Sequence, residues 1–206
     1  LNAQQDLVIK ALSEFNLTFL FAPSWHTSLK DLAPLRKSLG IRTVFNLLGP
    51  LVNPFAPSSQ VLGVADSSLL IPMSEALREL GLKKAIVIYG NGGLDEASLQ
   101  GVNEVVFLSD GKLTRSTINP NDLGLELTSN KEMVGGDLLE NCSILKSVLQ
   151  GKGKKAHNEI VSLNAAMVLW VAGFSNNLNE CLQISQKEIA SGRPWSLFSD
   201  LISFLK

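Results

Sequence analysis

Two short apolar runs, QVLGVA at residues 60–65 and KAIVIY at 84–89, enclose one amphipathic segment, and this arrangement constrains the fold more than any other part of the chain. Neither run alternates strictly between polar and apolar, so each predicts a strand covered on both faces. Between them, Asp66-Ser67-Ser68 offers a helix N-cap. Leu69, Leu70, Met73, Ala76, Leu77 and Leu80 then recur at helical spacing until Gly81 stops the pattern. Strand, helix and strand with short connections form a βαβ unit, which implies a parallel pair and a right-handed crossover.

The flanking segments fit the same class. Leu7, Val8, Ala11, Leu12 and Phe15 predict a first helix, and LTFLFA at 17–22 a buried strand or extended loop ended by Pro23. Leu29, Leu32, Ala33 and Leu39 suggest a second helix, kinked at Pro34 and stopped by Gly40. The string GIRTVFNLLGPLVNP at 40–54 carries Gly49-Pro50 and Asn53-Pro54, and it reads as backbone held in rigid turns rather than as a helix. Runs at 105–108 and 112–118 flank Asp110-Gly111, a strong hairpin signal. The last third is helical. It has an apolar stripe through Leu138, Leu139, Cys142, Leu145, Val148 and Leu149, a segment at 160–171 apolar nearly all round, and two further helices. No repeat or linker interrupts this order, which predicts a single α/β domain over residues 1–206 with a central, largely parallel sheet flanked by helices.

Composition narrows the function classes. At 206 residues, 45% apolar, 18% charged and net charge −1, the chain carries no general attraction for nucleic acid or acidic membrane. Cys142 and Cys181 make no disulfide framework and no zinc spacing. Both lie in helical patterns, which predicts buried free thiols and a cytoplasmic setting. The most apolar run, 165–174, is too short to cross a bilayer. The chain opens on Leu1 with a helical pattern under way within a few residues, which raises the expectation that an N-terminal part is missing.

Several residues are candidates for chemistry. The strand at 84–89 runs into Gly90-Asn91-Gly92-Gly93-Leu94-Asp95-Glu96, and ligands of open α/β sheets bind in loops beyond the carboxyl ends of strands. Asp95 and Glu96 are hard oxygen ligands suited to Mg²⁺, or equally the acidic first turn of a helix. Arg36 offers a two-pronged grip for a carboxylate, or a solvated charge on a basic helix face. His26 beside Trp25 suits a small aromatic ligand or a turn cap. His157 has no metal partner in view and reads as a surface residue, and 152–155 as a solvated basic loop.

Taken together, FLFAPSWHTSLK, LAPLRKSLGIRTVFNLLGPLVNP, GLDEASL, the GGD at 135–137 and LNAA at 163–166 resemble the anthranilate phosphoribosyltransferases, in family order through nearly the whole chain. The resemblance implies a large α/β domain of the nucleoside phosphorylase and phosphoribosyltransferase type, incomplete at its N-terminus. It also implies Mg²⁺-dependent transfer of phosphoribosyl from phosphoribosyl diphosphate to anthranilate. Carried over by position, Arg36 holds the anthranilate carboxylate, and His26, Gly49 and Pro50 wall its pocket. Asp95 and Glu96 become the catalytic pair serving the metal and diphosphate. The family's Gly-rich diphosphate loop and its helical, dimer-forming domain have no counterpart in the string, which predicts that the chain alone is inactive and does not form the family homodimer. Thr27 stands where the family has proline. A nucleic-acid-binding relative on the same fold and a pyrimidine nucleoside phosphorylase-like enzyme are the alternatives. Net charge −1 with Asp95-Glu96 retained argues against the first, and the GIRTVFNLLGP match against the second.

Overall fold

A computed structural model describes residues 3–25 and 45–206. In chain order the elements are α1 (Gln5–Phe15), α2 (Ala22–Trp25), α3 (Phe45–Leu48), β1 (Ser59–Gly63), α4 (Leu70–Glu79), β2 (Lys84–Tyr89), β3 (Asn103–Ser109), β4 (Lys112–Ile118), α5 (Leu138–Leu149), α6 (Lys155–Val171), α7 (Leu178–Ser191) and α8 (Arg193–Phe204). Packing groups them into two compact units, one of Leu1–Ala56 with Ser196–Lys206 and one of Pro57–Trp195.

In the first unit, α1 buries Val8 and Ala11 and ends at Asn16, whose left-handed backbone returns its N–H to Leu12. Thr18 Oγ1 donates to the Val8 carbonyl at 2.7 Å, and the Phe15 and Phe204 rings meet edge to face at 5.2 Å. Residues 17–21 form no strand, and Phe19 is exposed, so of the two readings of LTFLFA the loop holds. The turn-rich string differs from expectation at one point. Phe45–Leu48 is one turn of α-helix, continued as a 3₁₀ turn over Gly49–Leu51. Pro50 permits this because its fixed φ suits the first positions of a helix, where its missing N–H is not needed. The predicted helix over 29–39 lies outside the described residues.

The second unit is a three-layer sandwich built on the βαβ pattern. β1 pairs parallel with β2, while β2–β3 and β3–β4 are antiparallel, so the four described strands form a mixed sheet in sequential order. The β3–β4 hairpin turns on Asp110 and Gly111, both with positive φ, as a two-residue loop requires. Asp66 caps the 3₁₀ turn before α4, its carboxylate accepting from Ser68 N at 2.9 Å. On one face Ile86, Ile88 and Val105 pack with Leu163, Ala166 and Met167 of α6 and with Cys181 and Leu182 of α7. On the opposite face Ala85 and Val87 sit beside Leu108 and Val106, under α4 with Leu70, Met73 and Leu77 buried. Each such Ile or Leu removed from water contributes about 1.5–3 kcal/mol.

Three expectations about the helical third need correction. α6 is not buried all round, since Val161 and Val168 are exposed on its outer face. The α5 stripe buries only Val148 among its residues, and Leu138 and Leu139 stand 77% and 79% exposed. Cys142, on the same helix, is exposed rather than buried, because no described element packs over that side. No described helix is long and apolar enough to cross a membrane.

Candidate functional site

β2 ends at Tyr89, and the chain reverses through a tight loop in which Gly90 N donates to Leu94 O at 2.8 Å and Gly93 N to Gly90 O at 3.0 Å. Gly92 and Gly93 adopt φ of +87° and +85°, which residues with a β-carbon seldom take. Asp95 and Glu96 follow directly, both exposed. No helix begins there; the chain continues through Ala97, Ser98 and Leu99, all fully buried. The helix-start reading of the two acids is therefore not the one realised.

Two glycines let this loop lie across the strand ends. A β-carbon on Gly63, at the end of β1, would stand 1.6 Å from Asp95 O, and one on Gly90 would stand 1.9 Å from Glu96 O. Behind the loop, Asn103 is fully buried and works as a five-way junction. Its Oδ1 accepts from Ser98 N at 2.8 Å and Asn91 N at 3.1 Å, and its Nδ2 donates to the carbonyls of Ser98, Gly101 and Ile118. Asn130 ties the next layer, accepting from Ser98 Oγ at 2.6 Å and donating to Asn91 O at 2.9 Å. Backbone that has left the sheet is thus satisfied by side-chain amides, so the acidic pair projects from a fixed base.

Glu96 is electrostatically unsettled. Partial burial of its carboxyl raises its pKa above the ordinary 4.5, and the neighbouring Asp95 carboxylate raises it further. A cation at the pair would relieve both effects. Among the described residues no cluster of three or more His, Cys, Asp or Glu side chains could form a complete metal cage. The pair alone suits an ion that keeps much of its coordination for water and substrate oxygens, as Mg²⁺ does.

Beside Glu96 opens a cavity of about 700 Å³ between α5 and α6, lined mainly by apolar side chains including Val134, Leu145 and Val168. His157 faces it and is only 8% exposed, which corrects its reading as a surface residue: the first turn of α6 carries it inward. Lys155, from the basic stretch, is engaged with Glu126 at 2.6 Å and with Glu159 at 3.8 Å.

Of the other predicted site residues, Gly49 and Pro50 form the 3₁₀ turn of the first unit, and His26 and Arg36 lie outside the described residues. Gly63 and Asn103 were not singled out from the sequence, and Gly90 was named only as the first residue of the Gly-rich loop. A glycine closing each of two consecutive parallel strands was the available signal for a close backbone approach.

The family model described as "Glycosyl transferase family, a/b domain" matches residues 1–194. The anthranilate phosphoribosyltransferase of Synechococcus sp. (strain RCC307) is 54% identical over 205 residues, which is 100% of this chain and 60% of that protein. Among solved structures, anthranilate phosphoribosyltransferase from Thermus thermophilus aligns with TM-score 0.93 and 35% identity over 99% of this chain and 60% of its own. The Saccharomyces cerevisiae enzyme in complex with PRPP and Mg aligns with TM-score 0.85 and 29% identity over 97% of this chain and 58% of its own. The chain thus spans about three fifths of the length of each of these proteins. With a matching family model over most of its residues and the same backbone arrangement in solved relatives, the chain belongs to the glycosyl transferase family, a/b domain.

Proposed function

We propose that this chain supplies the metal-binding side of an anthranilate phosphoribosyltransferase, which moves phosphoribosyl from phosphoribosyl diphosphate to the amine of anthranilate and releases diphosphate in tryptophan biosynthesis. One observation carries the reading. Asp95 and Glu96 stand together on a braced loop beyond the end of β2, with Glu96 held in a state that a cation would relieve. The name of the Synechococcus relative and the PRPP and Mg in the yeast structure support the assignment of substrate and metal.

In this reading Asp95 and Glu96 hold Mg²⁺, with water and diphosphate oxygens completing its shell. The bound ion neutralises charge that builds on the diphosphate as it departs. Arg36 takes the anthranilate carboxylate through two parallel N–H···O bonds, a grip that a lysine cannot reproduce. His26, Gly49 and Pro50 wall the acceptor pocket. The amine is already a neutral nucleophile, so these residues orient it rather than deprotonate it, and orientation alone can supply roughly 7–11 kcal/mol. We extend the proposal to a homodimeric whole protein and to a cytoplasmic setting, the latter in keeping with the free thiols Cys142 and Cys181.

The test is loss of anthranilate fluorescence in the presence of phosphoribosyl diphosphate and Mg²⁺. The protein used is this chain joined to the two fifths of the Synechococcus enzyme that it does not match. Mg²⁺-dependent turnover is expected, with little or none from the 206 residues alone. Replacing Asp95 and Glu96 together by Ala should remove most of it. Full turnover in that double variant would overturn the assignment.

A further inference from the structure

We propose that Asn164 is a positioning residue for the Asp95-Glu96 pair, so that α6 sets the aim of the metal carboxylates. This rests on the metal reading above, and it concerns a residue far from the pair in sequence.

Asn164 lies in the interior of α6, a position where Asn is a poor helix former because its side chain competes for backbone groups. Here that competition is directed outward. Asn164 Oδ1 accepts from Ala97 N at 2.9 Å, and Nδ2 donates to Ala97 O at 3.2 Å. The second proton on Nδ2 goes to Ile160 O at 3.0 Å, one turn earlier on the same helix. One side-chain amide therefore satisfies both the donor and the acceptor of a single residue, as a neighbouring strand would.

Ala97 is fully buried, so its N–H and C=O have no water to fall back on. It is also the residue next to Glu96, and its backbone is continuous with the Glu96 peptide. Fixing both polar groups of Ala97 fixes the direction in which Glu96 leaves the chain. Asn103 holds the following residue, Ser98, through its N–H and C=O from the sheet side. The Gly63 and Gly90 contacts set the height of the loop over the strands, while the two Asn side chains set its rotation. Of these restraints, only the Asn164 contact comes from α6. No smaller set of atoms would serve, since Asp lacks the donor, Leu lacks both groups, and Gln places its amide one methylene too far along.

The experiment is titration with Mn²⁺ alone, read by electron paramagnetic resonance of free and bound ion. It compares the wild-type chain with Asn164→Ala, Asn164→Leu, the Asp95→Ala/Glu96→Ala double variant and Ser185→Ala. Leu keeps the branched outline of Asn without its polar atoms, so it leaves no cavity and gives a second variant should the Ala variant not fold. Ser185→Ala breaks a buried bond to Ser162 O of α6, 2.7 Å in the wild type, and tests for loss of helix packing without loss of the clamp. We expect the Asn164 variants to bind Mn²⁺ at least fivefold more weakly, with a broadened bound-ion spectrum. Ser185→Ala should bind as wild type does. Asn164 variants that match the wild type while the double variant loses the ion would overturn the positioning role and leave the metal reading intact. A double variant that still binds normally would overturn the metal reading, and this inference with it. Equal weakening by Ser185→Ala would reduce Asn164 to general packing and overturn the inference.

Discussion

Gly63 and Asp95 meet backbone to backbone: a β-carbon at Gly63 would stand 1.6 Å from the Asp95 carbonyl oxygen and 2.3 Å from its carbonyl carbon. No side-chain rotation can relieve such a clash, because both partners are main chain. The end of β1 is therefore a fixed floor on which the acidic loop rests, 32 residues along the chain.

Gly63→Ala accordingly has to lift the loop or bend the strand. Overpacking of this kind costs about 1–3 kcal/mol. Urea unfolding should register that loss, and Mn²⁺ affinity should fall along with it. Gly49→Ala is the matched comparison, since a β-carbon there has nothing within 4 Å and the backbone is not left-handed. Its stability should stay within about 1 kcal/mol of wild type or rise slightly. Equal stabilities for the two variants would show that the loop is free to move off β1.

The raised pKa of Glu96 makes a signed prediction. The folded chain binds a proton at Glu96 more tightly than the unfolded chain does, so this group contributes a destabilisation that is absent below the ordinary pKa of 4.5. The penalty grows as pH rises through the interval between that value and the higher folded one, and is complete above it. Glu96→Gln should thus be more stable than wild type at pH 7, and the difference should close near pH 4. Wild type should regain part of the difference at pH 7 when Mg²⁺ is added, and the variant should not. A variant that is less stable at pH 7 would show that Glu96 is not held against desolvation and Asp95.

How much of this could be read from the residues depended on the range of the interactions. The β1, α4, β2 order was legible because strands covered on both faces are apolar throughout and Asp66 marks the start of the helical segment. The β3–β4 hairpin was legible because few dipeptides other than Asp110-Gly111 tolerate two positive φ values in succession. The acidic pair was visible as a pair, but its setting was not. Acids suit a helix start and a metal loop alike, and what decides between them is Asn103 and Asn164 satisfying backbone at Ala97 and Ser98. The Asn164 contact bridges 67 positions, beyond any periodicity. The α5 stripe misled for a related reason. A helical apolar pattern says that one face avoids water, but not which element covers it.

That uncovered face has its own consequence. Leu138 and Leu139 are the most exposed large apolar residues of the second unit, and exposed Val134 lies just before them in the chain. Contiguous exposed apolar surface promotes association. Replacing both leucines by Lys should lower self-association in light scattering and reduce binding of an apolar fluorescent dye. The unfolding free energy should change by less than about 0.5 kcal/mol, as for surface sites generally. A loss of several kcal/mol would mean that the two leucines are packed in solution.

Asn103 gives the most severe prediction, because it closes the loop, the end of β4 and the Ser98 turn with one side chain. Asn103→Ala would strand the Ser98 N–H and C=O away from water, each at a cost of about 1–3 kcal/mol, in addition to the cavity left behind. Asn103→Asp would keep an acceptor for Ser98 N and Asn91 N, but it loses both donors and brings a carboxylate into a fully buried site. Both substitutions should therefore lower the urea midpoint sharply. The Asp variant should recover partly as pH falls and its carboxyl takes up a proton, whereas the Ala variant should not. Asn130→Ala provides the scale, since its bonds to Ser98 Oγ and Asn91 O are only part-buried and Ser98 Oγ keeps its contact with Gln100 N. A loss for Asn103→Ala no larger than that for Asn130→Ala would mean that the acidic loop is held from α6 and the two glycines, with Asn103 merely filling space beneath it.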